Sequence, residues 1–262
     1  MTGHVTAPAA ALADDLPSWA TLVRAPNPGP MTLDGTNTWV LRALGASGCV
    51  VVDPGPDDER HLEAVASHGP VEAILLTHGH PDHVGGVPAF SRLTGAEVRP
   101  MRDGQHIRAA GLEITALGTR GHTADSLSFL VGGDRPAVLT GDTILGRGTT
   151  VVAWPDGNLA EYLASLVVLE GLGAIPVLPG HGPALADCEV AARFYLAHRH
   201  ARLDQVRAAR AAGATTATEV VATVYADVDR VLWPAAELSV RAQLAYLDER
   251  ESETAVTELD PP

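Results

Sequence analysis

The sequence contains no lysine, and all 18 of its basic residues are arginine. With 32 acidic residues the formal net charge is −14, which disfavours attraction to duplex DNA or anionic lipid, because phosphate binding normally needs a cationic surface. No apolar run approaches the roughly 18 residues that indicate a membrane-spanning helix. We therefore expect neither a membrane partner nor a DNA duplex, and no oligomeric state is predicted. Aromatic residues make up only 4%, so the core must be mainly valine, leucine, isoleucine and alanine.

Cysteine is also scarce. Cys49 and Cys188 lie far apart and form no C-x-x-C pair, so a disulfide scaffold is not indicated. The N-terminal stretch has no basic segment, and Asp14 and Asp15 interrupt its alanine-rich run, which is not the pattern of a signal peptide. These features predict a cytoplasmic protein.

Short aliphatic runs that end in Gly, Pro or Asp predict β-strands. They occupy residues 49–53, 71–77, 126–131, 137–140 and 175–178. Helices are predicted at 57–67 and at 158–169, where Asn158 is the expected N-cap. Strands that alternate with helices indicate an α/β fold.

The pattern changes near residue 190. We predict a catalytic domain at 1–190 and a small helical domain at 191–250, in which Thr216 and Glu219 have the spacing of a capping box. The acidic segment 251–262 is predicted to be a flexible tail.

A dense group of possible metal ligands follows the predicted strand 71–77. His78, His80, Asp82 and His83 fall within six residues. Imidazole and carboxylate groups suit zinc, iron or manganese. Ligands on a tight loop at a strand end can converge on one point, whereas on a helix they would scatter around the axis. The alternative is a solvated polar loop.

Three more candidates lie next to predicted strands. Asp142 and His181 directly follow the runs 137–141 and 175–180, and His122 lies in a loop before the run 126–131. Loops at strand ends are where α/β folds build their sites, so these residues favour a metal centre over a polar surface.

The order of these residues resembles that of the metallo-β-lactamase superfamily, with all seven ligand positions present. The resemblance implies a four-layer αββα sandwich and two zinc ions, with manganese or iron as alternatives. It also implies the following roles: His78, His80 and His122 hold one metal, Asp82, His83 and His181 hold the other, Asp142 bridges them, and Asp53 orients a ligand histidine.

Seven such ligands suit hydrolysis. Two metals clamp a substrate oxygen and lower the pKa of a bridging water, and the resulting hydroxide attacks a carbonyl or phosphorus centre while Asp82 takes the proton. The superfamily's zinc β-lactamases commonly have cysteine where this chain has Asp142, so antibiotic hydrolysis is not expected. His80, in place of the glutamate of the flavo-diiron branch, disfavours redox chemistry.

Segments outside the ligands are similar to the β-lactamase-like protein 2 family. They are 27–39, 148–151, 179–183 and the tail from His198 to Leu244. The resemblance implies a winged-helix-like C-terminal domain and either endonucleolytic cleavage of single-stranded RNA or hydrolysis of a carrier-protein thioester. RNA is favoured by the resemblance, and a small ester or thioester by the net charge and the lack of a clear basic groove. A mononuclear iron persulfide oxygenase and a non-catalytic binding module are the remaining alternatives.

Five residues are candidates for binding substrate. Thr36, Asn37 and Thr38 either hydrogen-bond substrate or build a turn, and Thr149 and Thr150 either line the pocket or begin a strand. The arginines between Arg193 and Arg210 either follow a phosphate backbone or cover apolar surface with their stems.

Overall fold

The structure, a computed structural model, describes residues 8–12 and 15–259. Within these residues the first β-sheet consists of β1 (Ala20–Arg24), β2 (Asn37–Leu41), β3 (Cys49–Val52) and β4 (Val71–Leu75). The strands lie in chain order, with β1, β2 and β3 antiparallel and β3 parallel to β4.

The second sheet has the same plan with one more strand. It consists of β5 (His106–Ala109), β6 (Leu112–Gly118), β7 (Leu127–Val131), β8 (Ala137–Gly141) and β9 (Val177–Pro179). Its first four strands are antiparallel, and β9 is parallel to β8. Each sheet therefore ends in a parallel pair joined by a helical crossover.

The inner faces of the two sheets pack against each other. Trp39 and Leu41 from β2 share one buried cluster with Ile114 from β6 and Phe129 from β7. Alternate residues of a strand face opposite sides of a sheet, and the intervening residues of β2 to β4 face the first helical layer instead. Val40 and Ile74 belong to a second buried cluster, on the helical side of the first sheet.

Helices cover both outer faces. The first sheet carries α1 (Glu59–Ala66) and α3 (Val87–Thr94), and between them the short helix α2 (Pro81–Val84) follows β4. The second sheet carries α4 (Leu159–Glu170) and α5 (Cys188–Ala211). The Asn158 side chain accepts a hydrogen bond from the Glu161 backbone N–H, which confirms the predicted N-cap. The predicted αββα sandwich is confirmed.

The C-terminal part is helical. It contains α6 (Ala217–Val224), a 3₁₀ turn (Arg230–Leu232) and α7 (Trp233–Leu259). The predicted capping box of Thr216 and Glu219 is present at the start of α6. In the described part of the chain, no helix combines the length and apolar character needed to cross a membrane.

The structure bears on the predicted domain limits at two points. The limit at 190/191 falls inside α5, which packs against α4 as well as against α6 and α7. The segment predicted as a tail has no boundary at 251, because α7 continues through it to Leu259. Residues 260–262 lie outside the described residues.

Candidate metal centre

The seven predicted ligands come together where β4, β8 and β9 end and where β6 turns into β7. Within the described chain, their donor atoms form two groups in which all atoms lie within 4.8 Å of one another. The first group is His78, His80, His122 and Asp142, and the second is Asp82, His83 and His181. The ends of strands that are distant in the sequence thus bring the metal-binding atoms of these seven residues close together.

Asp82 and His83 reach this place on a helix, where the sequence predicted a loop. His80 is the N-cap of α2 with extended backbone, and Pro81 occupies the first helical turn. The fixed φ of proline favours a helix start at this position. Since α2 is a single turn of four residues, its ligands stay close together and do not scatter around an axis as they would on a longer helix.

The donor atoms of the histidines face one another directly. His78 Nε2 lies 3.0 Å from His80 Nδ1, which lies 3.1 Å from His122 Nε2, and His83 Nε2 lies 3.3 Å from His181 Nε2. Each neutral imidazole has one lone pair. Nitrogens that converge at these distances are better placed to bind one shared cation than to hydrogen-bond one another.

Asp142 lies between the two groups. Its Oδ2 is 3.7 Å from His122 Nε2 and 3.3 Å from His181 Nε2, while Oδ1 is 3.4 Å from His83 Nε2. Oδ1 is buried and has no hydrogen-bond donor among the described residues. A buried carboxylate oxygen left without a donor fits a metal ligand, and the mixed imidazole and carboxylate set fits zinc, iron or manganese.

Backbone carbonyls fix the orientation of two of these rings. His122 Nδ1 donates to the Val151 carbonyl at 2.7 Å, and His181 Nδ1 lies 3.3 Å from the Gly35 carbonyl. A carbonyl oxygen can only accept, so each Nδ1 carries a proton, and Nε2 is the nitrogen that faces the centre.

A buried carboxylate orients a third ring. Asp53, in the left-handed region at φ 52°, accepts from His83 Nδ1 at 2.9 Å with one oxygen and from the Thr77 backbone N–H at 2.8 Å with the other. Thr77 Oγ1 also donates to Asp53 at 2.6 Å and lies 3.0 Å from His78 Nδ1, so it accepts from that ring. Asp53 has the position that the resemblance implies. Thr77 was not predicted, although its place between the strand and His78 was visible in the sequence.

Burial and neighbouring charges shift the pKa values of three histidines in this cluster in different directions. Burial lowers the pKa of His83, but Asp142 and Asp53 outweigh it and raise this pKa well above the ordinary value. Burial also lowers the pKa of His181, and hydrogen bonds to Asp142 and Asp82 raise it to about 9. Burial, joined by the charge of His83, lowers the pKa of His78 to about 2. A bound cation would therefore replace protons on His83 and His181.

Comparison with known proteins identifies the family. The profile of the metallo-beta-lactamase superfamily matches residues 31–106, and that of the beta-lactamase associated winged helix domain matches residues 216–252. The chain is 32% identical over 225 residues to the beta-lactamase-like protein 2 homolog of Caenorhabditis elegans, an alignment that covers 77% of this chain and 74% of that protein. The chain belongs to the metallo-beta-lactamase superfamily.

Two further similarities are relevant within the superfamily. The atrochrysone carboxyl ACP thioesterase of Aspergillus fumigatus is 33% identical over 244 residues, which cover 79% of this chain and 75% of that enzyme. The crystal structure of a metallo-beta-lactamase family protein from Thermus thermophilus superposes with a TM-score of 0.74 at 24% identity, covering 89% of this chain and 94% of that one. The second similarity supports the fold alone.

Three of the predicted substrate-binding residues have their side chains turned into the protein. Thr36, Asn37 and Thr38 are fully buried. The Asn37 amide donates to the backbone carbonyls of Pro179 and Gly182, which flank His181, at 2.9 and 2.8 Å. Asn37 therefore holds the loop that carries His181, and its contact with substrate stays a prediction.

The other two threonines of this segment act in the same way. Thr38 donates to the Asp53 carbonyl at 2.7 Å, and its hydroxyl is 2.9 Å from the buried His61 ring. Thr36 Oγ1 donates to Asp82 Oδ2 at 3.2 Å. Both side chains are buried, Thr36 against the metal-ligand candidate Asp82 and Thr38 against Asp53 and His61. Their contact with substrate stays a prediction.

A cavity of about 330 Å³ extends from the metal ligands His122 and Asp142 to the C-terminal helices. Thr149 and Thr150 line it, as predicted for a pocket wall, although their contact with substrate stays a prediction. Most of the wall is apolar, and its apolar side chains include Pro30, Met31, Leu33, Leu145, Val228 and Leu232.

The arginines of α5 are engaged within the protein. Three have acidic partners and two donate to backbone carbonyls. The contacts are Arg193 to Glu170 and Glu189, Arg207 to Asp204, Arg210 to Asp248, Arg199 to the Thr150 carbonyl, and Arg202 to the Val224 carbonyl. The acidic partners offset part of the positive charge of this helix, and contact with a phosphate backbone stays a prediction.

Proposed function

We propose that the chain is a metal-dependent hydrolase of an ester or thioester whose acyl group is apolar. The observation that carries this proposal is the apolar cavity, which opens on His122 and Asp142. Burial of an acyl chain there contributes roughly 0.8 kcal/mol per methylene group. The thioesterase activity in the name of the Aspergillus fumigatus relative supports the same class of reaction.

The residues of the centre suit this reaction. Divalent metal ions held by the seven donors would polarise the carbonyl oxygen and activate a water at neutral pH. Asp82 keeps part of its carboxylate accessible, with 26% of the side chain exposed. Burial raises its pKa, but hydrogen bonding with His181 and the charge of His83 bring it to about 2, so the carboxylate is ionised.

The chemical step is a simple hydrolysis. The water oxygen bonds to the carbonyl carbon, and Asp82 Oδ2 takes the water proton. The carbon–sulfur or carbon–oxygen bond then breaks, and the leaving thiolate or alkoxide takes up that proton. Thr36 holds Asp82 Oδ2 in place and is itself held by Asn27 Nδ2, which donates to Thr36 Oγ1 at 3.0 Å.

Cleavage of single-stranded RNA, the other reaction predicted from the sequence, has less support. The arginines of α5 have internal partners, and an apolar wall does not match a polyanion. Mononuclear iron chemistry would use one of the two donor groups only, so measured metal ions per chain would separate it from a dinuclear hydrolase.

The test compares thioesters that differ only in chain length. Zinc-loaded protein is assayed with the acetyl and hexanoyl thioesters of N-acetylcysteamine, with release of the thiol as the readout. Four added methylene groups correspond to about 3 kcal/mol at most, so we expect kcat/KM for hexanoyl to exceed that for acetyl by about 100-fold. The variant Asp142→Ala should hydrolyse neither.

Two neighbouring residues provide a matched pair of variants. Leu232 lines the cavity, whereas Val231 is 65% exposed. Leu232→Arg should reduce the hexanoyl preference at least tenfold, and Val231→Arg should leave it intact. Metal-dependent cleavage of an end-blocked single-stranded RNA, together with no turnover of either thioester, would replace this proposal by the nuclease.

A further inference from the structure

Three side chains in the cavity wall each have a buried hydrogen-bonding atom without a partner among the described residues: Asp142, which belongs to the metal centre, Arg199 and His198. His198 lies on α5 and lines the same cavity as Asp142. Its Nδ1 is buried, and among the residues that the structure describes it has no hydrogen-bond partner.

Such an atom is uncommon in a folded protein. Most buried side-chain nitrogens are hydrogen-bonded, and leaving one unpaired costs about 1–3 kcal/mol. In a wall that is otherwise largely apolar, an unpaired nitrogen marks the place where a bound molecule can supply the missing partner. It would also discriminate against a molecule that lacks one.

The surroundings of His198 keep its ring neutral. Burial is the main cause that lowers its pKa to about 4, and the charges of Arg199 and Arg202 lower it further. A neutral imidazole offers one N–H and one lone pair. A hydroxyl group can donate or accept, so it pairs with Nδ1 in either tautomer.

The two neighbouring arginines are already engaged. Arg199 is buried, donates to the Thr150 carbonyl and lies 5.0 Å from the Tyr162 ring centre. Arg202 donates to the Val224 carbonyl at 2.7 Å and lies 4.3 Å from the Tyr225 ring centre. These contacts anchor the guanidinium of Arg199 through Nη2 and that of Arg202 through Nη1, whereas His198 Nδ1 has no hydrogen-bond partner among the described residues.

We propose that His198 is a specificity-determining residue that hydrogen-bonds a hydroxyl group on the acyl part of the substrate. This inference rests on the proposed hydrolysis of esters or thioesters and narrows it to hydroxylated acyl groups. The apolar walls bind the hydrocarbon part, and His198 selects among acyl groups of similar size by their hydroxyl.

The test uses acyl groups that differ in one hydroxyl. The zinc-loaded full chain is assayed with hexanoyl thioester and its 3-, 4-, 5- and 6-hydroxy isomers. For at least one isomer, His198→Phe should lower the ratio of hydroxylated to plain kcat/KM by about tenfold, equivalent to about 1.4 kcal/mol. His200→Phe makes the same change at an exposed position of the same helix and should keep the wild-type ratios.

A second measurement separates this inference from the proposed function. Calorimetric titration with the free hexanoic and hydroxyhexanoic acids requires no turnover, and ¹⁵N spectra of labelled histidine report a partner at Nδ1. His198→Gln keeps a hydrogen-bonding group and should retain part of the preference if the phenylalanine variant folds poorly.

The outcomes are distinct. If thioesters are hydrolysed but the unmodified chain, His198→Phe and His200→Phe show equal hydroxyl preference for every isomer, the role of His198 is overturned and the hydrolase stands. If no thioester is hydrolysed, the proposed hydrolase is wrong. The titrations with free acids then test His198 by comparing the affinities for hexanoic and hydroxyhexanoic acids between the unmodified chain and its variants. Equal affinities with no change in the Nδ1 signal would overturn it there too.

Discussion

Replacing Asp53 by asparagine tests how the chain presents His83 to a metal. Asp53 accepts three hydrogen bonds, from His83 Nδ1, the Thr77 backbone N–H and Thr77 Oγ1, and the substitution affects this set. An asparagine of the same shape keeps one accepting oxygen and puts an N–H₂ group where the other oxygen was. At the position of Oδ2 the amide would face two buried donors, His83 Nδ1 and Thr77 Oγ1, and at the position of Oδ1 it would face the Thr77 backbone N–H.

The least costly adjustment moves a proton on His83. If Nδ1 gives up its proton to accept from the new amide, Nε2 becomes protonated and loses the lone pair that faces the centre. Loss of a group that orients a metal ligand typically costs 10- to 100-fold in metal affinity, or about 1.4–2.7 kcal/mol. We expect a loss in this range for one of two zinc ions in Asp53→Asn.

The assay is competition for zinc against a chromogenic chelator, performed on the unmodified chain, Asp53→Asn and Asp57→Asn. Asp57 is exposed, so its variant makes the same charge change without touching the centre. Thermal unfolding of the metal-free proteins separates loss of metal affinity from loss of folding. Equal zinc affinities for all three proteins would refute the role assigned to Asp53 and the tautomer assigned to His83.

Two further predictions concern the same centre. The methyl group added in Gly180→Ala would lie 2.4 Å from Asp142 Oδ1 and 2.8 Å from His83 Cε1, so we expect elemental analysis to find fewer than two zinc ions per chain. The control Gly132→Ala, whose added methyl group has its nearest atom at 3.9 Å, should keep both zinc ions. Full zinc content in Gly180→Ala would contradict the close packing. Zinc binding should release protons, because the pKa of His83 is raised well above its usual value and that of His181 to about 9 in the metal-free cluster. Below pH 6.5, the ordinary pKa of histidine in the unfolded chain, the ion pairs of His181 contribute fully to the stability of the metal-free fold. This contribution is lost as the pH rises through about 9, and zinc affinity increases over the same interval. Calorimetry in buffers of different ionisation enthalpy measures the released protons, and none released at pH 7.5 would contradict the pairing.

The ligands were predictable because they follow buried strands directly. The runs before Asp142 and His181 are continuous and aliphatic, which indicates strands, and chemistry at strand ends is a general property of α/β folds. Local patterns such as the Thr216 capping box were equally visible. These features depend on residues that are close together in the sequence.

The features that were missed depend on tertiary contacts. Asn37 and Thr38 were interpreted as loop residues because they are polar, yet they begin β2 and are fully buried, with partners more than ten residues away. The strand β5 alternates exposed His106 and Arg108 with buried Ile107 and Ala109, a signal of period two that was available but short. The cavity was beyond prediction, since its wall joins segments around residues 30, 150, 200 and 235.

The cavity joins two parts of the chain that carry different constraints. Each of the seven donors precedes residue 182, while Tyr225, Leu232 and Ser239 on the opposite wall follow residue 220. Substitutions in the C-terminal helices can therefore reshape what is bound without disturbing any donor or its supporting hydrogen bonds. A lineage with this architecture can diversify its substrates while its metal chemistry stays fixed, and relatives with the same seven donors are expected to differ most in the residues that correspond to this wall.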